Sequence, residues 1–330
     1  MGKVTKQNLE SRGCDAAKIK EYYESLNSLR KQIVGSIASE ESFETFYENM
    51  DGYRFFYQEW DLPKKAPSLK GILICLHGFL THSDYFYPVA DFFTPLGCKV
   101  VALDYRGHGR TGGMMGGRLG YIEKFDFILE DIHALIWKYQ SQYQDIPIFI
   151  LGFDLGAIFA MKLKYRYEDL KIKKMILISP SLKIQLSLKN KITKAGFQIL
   201  SKMAKIHSMI DVPSWVRDPH HTYFPEFNAF LKNDHLALTQ IAVKTNGDFM
   251  NYISFLGRFI EHADLPVYIF QGTGDTYTDP FGAHELFQKW KHREKYIRLY
   301  ENANHFLLYD KFSQEIWGKM KDFLIQNPTQ

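Results

Sequence analysis

Three short segments of the sequence carry residues that can do chemistry together. In GFDLG (residues 152–156), two glycines flank Asp154 directly after an apolar run, which is typical of a strained strand-to-helix turn that presents its central side chain. Asp275 ends GTGD and His305 lies in NANHF, so a second carboxylate and a histidine follow in chain order. Nucleophile, acid and histidine in this order form a hydrolytic site. Taken alone, Asp154 is also suited to capping the helix that follows it.

Two further loops follow predicted strands. In LHGF (residues 76–79) a glycine lets the backbone approach a substrate, so the amide of Phe79 can donate to an oxyanion. The loop DYRGHGRT (residues 104–111) is punctuated by glycines, and we expect its polar groups to brace the neighbouring turns. Because the carboxyl ends of parallel strands meet at one edge of a sheet, we expect all these loops to lie close together.

The surrounding sequence predicts an α/β fold with a mostly parallel, doubly wound sheet. An Asp51-Gly52 turn between two strand-like segments predicts an opening hairpin. Apolar runs of strand length then alternate with helical patterns, as in a parallel sheet. The predicted strands are residues 71–78, 99–109, 146–152, 174–180, 265–275 and 295–302, and the predicted helices are residues 122–140, 155–168, 281–291 and a closing helix after 310.

Pattern changes divide the chain into three expected parts. These are an amphipathic N-terminal helical extension (1–42), a core (43–180 and 264–330) and a helical cap (181–263) inserted after the sixth core strand.

Two helical segments outside the predicted core leave alternatives open. Residues 15–38 carry apolar side chains at three-and-four spacing, so this helix either packs on the domain or docks a protein partner. Cap residues 183–206 contain six lysines and no acid. That segment is either a half-buried helix with a solvated lysine face or a peripheral contact with an anionic lipid surface.

The motifs resemble a known family. In order and spacing, HGFLTHSDYFYPVADFF, DYRGHGRTGG, GFDLGA, GTGDTYTD and NANHFLLYD resemble the monoacylglycerol lipase and lysophospholipase (serine aminopeptidase S33-like) branch of the α/β-hydrolase superfamily. The resemblance covers residues 43–325 and implies the α/β-hydrolase fold. It implies that Asp275 orients His305, that His305 is the general base, and that the amides of Phe79 and Leu155 form the oxyanion hole.

The sequence departs from this family at the nucleophile. Asp154 stands where the family carries serine, and Phe153, Leu155 and Ala157 differ from the His, Met and Gly common around that serine. A carboxylate that attacks an ester forms a reactive anhydride and must expel a more basic alkoxide, which disfavours ester hydrolysis. At a saturated carbon the same carboxylate can displace a halide or open an epoxide, and His305-activated water can then cleave the alkyl ester.

Three functions therefore remain open. The first is a hydrolase of a lipid-like substrate in an apolar capped pocket, for which Phe153 is a candidate contact. The second is an epoxide hydrolase with an Asp nucleophile, in which Tyr223 and Tyr252 of the predicted cap are candidates to bind the epoxide oxygen. A haloalkane dehalogenase is less favoured, because Leu155 replaces the tryptophan that such enzymes place beside the nucleophile. The third is an inactive family member that acts as a binding or assembly protein.

Composition and charge argue against several other classes. The 41 Lys and Arg residues nearly balance 37 Asp and Glu, and no basic run interleaved with aromatics predicts nucleic-acid binding. Neither ligand-spaced Cys and His clusters nor nucleotide-binding glycine motifs occur, so we expect no metal and no cofactor. No apolar run is long enough to span a membrane, and three widely spaced cysteines fit a reducing compartment. We expect a soluble, cytoplasmic protein, with peripheral membrane contact as the alternative.

Overall fold

The apolar runs of the sequence form the centre of a mixed β-sheet. In the computed structural model, strands Gly71–Leu76, Cys98–Leu103 and Ile148–Phe153 are buried at every residue. Parallel strands with both faces covered by helices carry continuous apolar sequence, which explains why these runs do not alternate. The structure describes residues 16–35, 43–114, 118–182, 208–212, 223–254 and 264–325.

The strands and helices of the described residues are numbered in chain order. The strands are β1 (Phe43–Glu48), β2 (Arg54–Trp60), β3 (Gly71–Leu76), β4 (Cys98–Leu103), β5 (Ile148–Phe153), β6 (Ile172–Ile178), β7 (Met209–Asp211), β8 (Gln240–Ala242), β9 (Val267–Gly272) and β10 (Lys295–Tyr300). The helices are α1 (Ala16–Val34), α2 (Tyr87–Phe93), α3 (Gly109–Met114), α4 (Phe125–Gln142), α5 (Leu155–Arg166), α6 (Pro225–Asn233), α7 (Val243–Ser254), α8 (Pro280–Lys289) and α9 (Ser313–Leu324).

The main sheet has the predicted doubly wound topology. Its strand order is β1-β2-β4-β3-β5-β6-β9-β10. The pairs from β4 to β10 are parallel, whereas β1-β2 and β2-β4 are antiparallel. The predicted hairpin joins β1 to β2, and Gly52 in its turn has φ +78°, a conformation that favours glycine. The chain reverses direction across the sheet between β3 and β5, which places the loops after these strands at a common edge.

Helix α1 packs against the rest of the chain. Leu26, Leu29 and Ile33 from its predicted apolar face are buried. Arg30 makes a two-pronged ion pair with Asp91 of α2, with N–O distances of 2.6 and 2.8 Å. The apolar face that motivated a protein-docking function for residues 15–38 is therefore covered by the protein itself, as the packing alternative predicts.

The predicted cap contains strands as well as helices. Strands β7 and β8 form a separate two-stranded antiparallel sheet between β6 and β9, where the sequence predicted helices and turns. Each has three residues, which is too short for the alternating pattern that identifies a strand in a sequence. The basic segment 183–206, and with it the predicted membrane contact, lies outside the described residues.

Two other sequence predictions concern the membrane and the cysteines. Among the described helices, none combines the length and the apolar character that crossing a membrane requires. Cys75 and Cys98 are buried free thiols, and Cys14 lies outside the described residues.

Candidate active site

Asp154 occupies a sharp turn between β5 and α5. Its backbone has φ 53° and ψ −114°, which is a strained conformation for a residue with a side chain. Both flanking positions require glycine because other backbone atoms lie close to them. A Cβ on Gly156 would lie 1.9 Å from the Leu76 carbonyl oxygen, and one on Gly152 would lie 2.6 Å from the Cα of Ala157. The turn therefore presents Asp154 as the sequence predicted.

The carboxylate of Asp154 binds the amide predicted for the oxyanion hole. The N–H of Phe79 donates to Asp154 Oδ2 at 2.8 Å, and the neighbouring backbone amide of Leu155 lowers the pKa of this carboxyl. A Cβ on Gly78 would lie 2.7 Å from the same Oδ2, so the glycine of the HG motif makes room for the carboxylate. Asp154 makes no side-chain capping hydrogen bond to α5, so the capping interpretation of this residue is wrong.

Asp275 is held in place by a set of donors. Its Oδ1 accepts hydrogen bonds from the backbone N–H groups of Tyr277 and Thr278, at 2.8 and 3.0 Å. Its Oδ2 accepts from the Thr278 hydroxyl at 2.6 Å and from the Gln271 amide at 3.0 Å. The remaining partner of Oδ2 is His305, whose Nδ1 lies 2.8 Å away. The acid is thus rigidly oriented toward the histidine, as the family resemblance implies.

His305 lies between Asp275 and Asp154. Its Nε2 is 3.9 Å from Asp154 Oδ1, beyond hydrogen-bond distance, and the residue is 5% exposed. The Ser179 hydroxyl donates to the backbone carbonyl of His305 at 2.7 Å and fixes the loop that carries it. The structure therefore brings together the three residues predicted to act in catalysis.

Burial and neighbouring charges shift the pKa values of all three groups. Burial raises the pKa of Asp154, and the opposing effects of His305 and the two backbone amides do not fully offset it. Burial also raises the pKa of Asp275, but His305 and the Thr278 donors outweigh it, so that pKa is lowered. Burial lowers the pKa of His305, but Asp275 and then Asp154 outweigh it, so that pKa is raised. The shifts of Asp275 and His305 therefore favour a carboxylate–imidazolium pair, whereas burial makes ionisation of Asp154 less favourable.

Aromatic side chains surround the catalytic groups. The ring centroids of Phe153 and Tyr277 lie 5.1 and 5.0 Å from that of His305. Phe79 stacks on Phe249 of α7 at 4.1 Å, so a cap residue packs directly over the oxyanion loop. A small cavity lies next to this site, lined by Tyr85, Phe86, Phe153, Phe306, Leu308 and Tyr309. Phe153 thus lies between His305 and this cavity, and its contact with a substrate stays a prediction.

The two cap tyrosines proposed to bind an epoxide oxygen are not brought to Asp154. Tyr223 is 61% exposed, and its ring contacts Phe224. Tyr252 packs on Phe125 at 5.0 Å and on Phe159 at 5.8 Å, between α4 and α5. These contacts do not support either tyrosine as a partner of Asp154, because a sequence position in the cap does not fix the direction of a side chain.

The glycine-punctuated loop at residues 104–111 braces the site, as predicted. Asp104 accepts hydrogen bonds from the N–H groups of Ser83 and Arg110, both at 2.7 Å. His108 Nε2 lies 2.6 Å from the carbonyl oxygen of Phe79 and so holds the peptide group that follows this residue. These contacts connect the loop to the chain segment that follows Phe79.

Sequence reasoning did not find several supporting residues. Thr278 had a detectable signal, because a hydroxyl three residues after an aspartate commonly closes a turn with it. Gln271 and Ser179 had none, because their roles depend on contacts with Asp275 and His305 across the sheet. Among the described residues no group of three His, Cys, Asp or Glu side chains is arranged to hold a metal ion.

The fold and the site geometry define an α/β-hydrolase. The sequence profile of the family described as serine aminopeptidase, S33 matches residues 67–311, and the chain belongs to that family. Its curated relatives include the monoglyceride lipase of Homo sapiens, 25% identical over 78% of this chain and 82% of the relative. The monoglyceride lipase of Saccharomyces cerevisiae is 24% identical over 86% of this chain and 93% of the relative.

Solved structures share the fold. A soluble variant of the Saccharomyces cerevisiae monoglyceride lipase in complex with a substrate analogue has a TM-score of 0.76 and 22% identity, covering 88% of this chain and 96% of that chain. A thermostable carboxyl esterase from Bacillus coagulans has a TM-score of 0.70 and 19% identity, covering 86% and 98%.

Proposed function

We propose that this protein is a hydrolase of lipid-like substrates in which the carboxylate of Asp154 is the nucleophile and attacks a saturated carbon. One observation carries the proposal: Asp154 Oδ2 is bound to the Phe79 amide, while Oδ1 lies on the side of His305. One carboxylate oxygen is thus anchored, and the other is placed beside the group that activates water.

This arrangement argues against attack on an ester carbonyl. An ester substrate needs the oxyanion amides for its own carbonyl oxygen, and here the Phe79 amide is engaged by the nucleophile. Attack of the Asp154 carboxylate on an ester carbonyl would also form a reactive anhydride.

Attack on a saturated carbon avoids both problems. Oδ1 forms the new bond to carbon, the leaving group departs with its electron pair, and Oδ2 becomes the carbonyl oxygen of an alkyl ester without moving. The Phe79 amide is then already placed to stabilise the oxyanion that forms when water adds to the carboxyl carbon of this ester. Asp275 orients His305 to activate that water.

The apolar surroundings and the relatives support a lipid-like substrate. The rings of Phe153 and Phe306 pack against His305, and burial of alkyl groups against such rings is favourable by about 0.8 kcal/mol per methylene. The curated relatives are named for monoglycerides, which combine one acyl chain with a small polar headgroup. Those names also favour a second candidate, hydrolysis of a monoglyceride ester.

An isotope experiment tests the nucleophile. Enzyme in excess over substrate is incubated in H₂¹⁸O with alkyl-chain epoxides, haloalkanes and monoglycerides, each in a single turnover. We expect a product that carries no ¹⁸O and an Asp154 peptide that gains about 2 Da, because water attacks the alkyl-enzyme and not the substrate. The Asp154→Ala variant is the control and should take up no label.

The alternative outcomes are distinct. Product that contains ¹⁸O in the first turnover, with an unlabelled Asp154 peptide, would mean that water attacks the substrate directly. Free fatty acid from a monoglyceride at the same rate in both proteins would overturn the role of Asp154. No product from any of the three classes would favour a binding protein that retains the fold.

A further inference from the structure

His305 has an acidic group on each side of its ring. Nδ1 is 2.8 Å from Asp275 Oδ2, and Nε2 is 3.9 Å from Asp154 Oδ1. Two anions around one buried imidazole stabilise the doubly protonated cation. Within the described segments Tyr277 also packs against this ring, and a phenol carries no positive charge that would oppose the cation.

The proton on Nε2 is available for transfer. The pKa of His305 is raised, because the two carboxylates outweigh the effect of burial. The separation of 3.9 Å from Asp154 is longer than a hydrogen bond, so the Nε2–H group is not committed to the nucleophile. A histidine that starts as a cation must give up this proton before it can act as a base.

The geometry points to an epoxide on an apolar chain as the substrate class of this site, with His305 supplying the proton that the opening ring oxygen requires. This inference rests on the proposed role of Asp154 as nucleophile. It assigns His305 an acid step that precedes its base step, and it requires no cap tyrosine. Tyr223 and Tyr252 are both placed away from Asp154.

In the first step Asp154 Oδ1 forms a bond to one epoxide carbon, and the bond from that carbon to the ring oxygen breaks. The electron pair stays on the oxygen, which takes the Nε2 proton of His305 directly or through one bridging water. The products of this step are a hydroxyalkyl ester on Asp154 and a neutral His305.

In the second step the neutral His305 takes a proton from water, and the hydroxide adds to the carboxyl carbon of Asp154. The charge that develops on Oδ2 is stabilised by the Phe79 amide. The bond to the alkoxide then breaks, and the alkoxide takes the proton from His305. The carboxylic acid left on Asp154 returns its proton to His305, so one epoxide and one water give one diol and the resting charges are restored.

The same proton balance disfavours a haloalkane. A halide leaves as a stable anion and takes no proton, so His305 stays protonated after the displacement. A protonated His305 cannot activate water, and the alkyl-enzyme would accumulate until the proton is lost to solvent. Opening of an epoxide takes one proton from His305 and therefore leaves it neutral, ready to act as the base in the second step.

The test compares a terminal epoxide and a terminal bromide on the same alkyl chain, using the full-length protein and its His305→Gln variant. Single-turnover consumption of each compound and the intact mass of the protein are measured between pH 5 and 9. We expect epoxide consumption by the unaltered protein to slow as pH rises past the pKa of His305, and to fall on the order of 10²-fold or more in His305→Gln. Reaction with the bromide should not slow as pH rises past the pKa of His305, and its adduct should accumulate in the variant.

Each contrary result has a separate meaning. Epoxide alkylation of His305→Gln at the unaltered rate, with thermal unfolding showing that the variant is folded, would overturn the acid role of His305. Epoxide consumption that stays constant or rises with pH would also overturn the acid role of His305, whether or not the bromide reacts. An unaltered protein that forms no adduct and consumes neither compound would overturn the nucleophilic role of Asp154, and the inference with it.

Discussion

At the scale of single residues, the chemistry depends on which atom of Asp154 faces which partner. The Phe79 amide donates to its carboxylate, and Gly78 leaves room for it. A serine hydroxyl at this position is shorter by one atom and would leave the oxyanion amides open. The identity of one side chain therefore decides whether the amides are available to a substrate carbonyl.

We predict that Asp154→Ser creates esterase activity on short acyl esters. The substitution frees the Phe79 amide and places a hydroxyl near His305, while Asp275 and His305 remain in place. We expect hydrolysis of a p-nitrophenyl ester on the order of 10³-fold above that of the unaltered protein. Asp154→Ala, which frees the amide without adding a nucleophile, is the matched control. A folded Asp154→Ser protein with no more activity than Asp154→Ala would contradict the prediction.

At the scale of elements, the site depends on how closely strands and helices approach one another. Helix α5 begins directly after Asp154 and lies so close to the end of β3 that position 156 can hold only glycine. Contact between the backbones of α5 and β3 brings the Asp154 turn to the Phe79 loop. The G-x-D-x-G pattern is therefore a packing requirement as well as a turn signal.

Two glycine substitutions test this packing. A Cβ on Gly156 would lie 1.9 Å from the Leu76 carbonyl oxygen, whereas one on Gly318 in α9 would have no atom within 4 Å. We expect Gly156→Ala to reduce the free energy of unfolding by about 3 kcal/mol or more, because backbone atoms must move apart. Gly318→Ala should raise it by about 0.5–1 kcal/mol through helix propensity. Denaturant unfolding measures both, and equal stabilities of the two variants would contradict the argument.

At the scale of the whole molecule, buried polar contacts join segments that are distant in the sequence. The Tyr22 hydroxyl of α1 donates to Asp84 at 2.7 Å, and Arg110 makes two bonds to the same carboxylate. His82, in the loop after β3, lies 3.0 Å from Asp234, which directly follows α6 in the predicted cap. The N-terminal helix, the core and this part of the predicted cap are thus linked by charged groups removed from water.

The His82–Asp234 pair should make stability depend on pH. Burial lowers the pKa of His82, but Asp234 outweighs it, so that pKa is raised above its usual value. The stabilisation is therefore complete below about pH 6.5, the unfolded pKa, and is lost as pH rises through the folded pKa. The melting temperature of the unaltered protein should therefore decrease above pH 6.5. We expect Asp234→Asn to remove the contribution of His82 to that decrease.

The control for this prediction is Asp322→Asn, because the ion pair of Asp322 with Lys321 lies at the surface and is screened by solvent. Melting temperatures measured across the same pH range should decrease equally in Asp322→Asn and the unaltered protein. The same decrease in Asp234→Asn would show that His82 does not contribute to it.

Local sequence patterns were enough to predict the core strands, the order of Asp154, Asp275 and His305, and the loop that carries Phe79. Apolar runs and glycine turns are local patterns that span a few residues, and the order of residues along the chain does not depend on folding. The division into extension, core and cap at residues 42, 180 and 264 stays a prediction.

Which side chains meet became visible in the folded protein. Tyr252 packs between α4 and α5 and not over Asp154, Gln271 supports Asp275, and the carboxylate of Asp154 binds the Phe79 amide. These outcomes depend on side-chain directions and on distances between segments far apart in the chain, which no local pattern encodes. The sequence therefore predicted the candidate reacting groups, and the fold determined which hydrogen-bond donors those groups face.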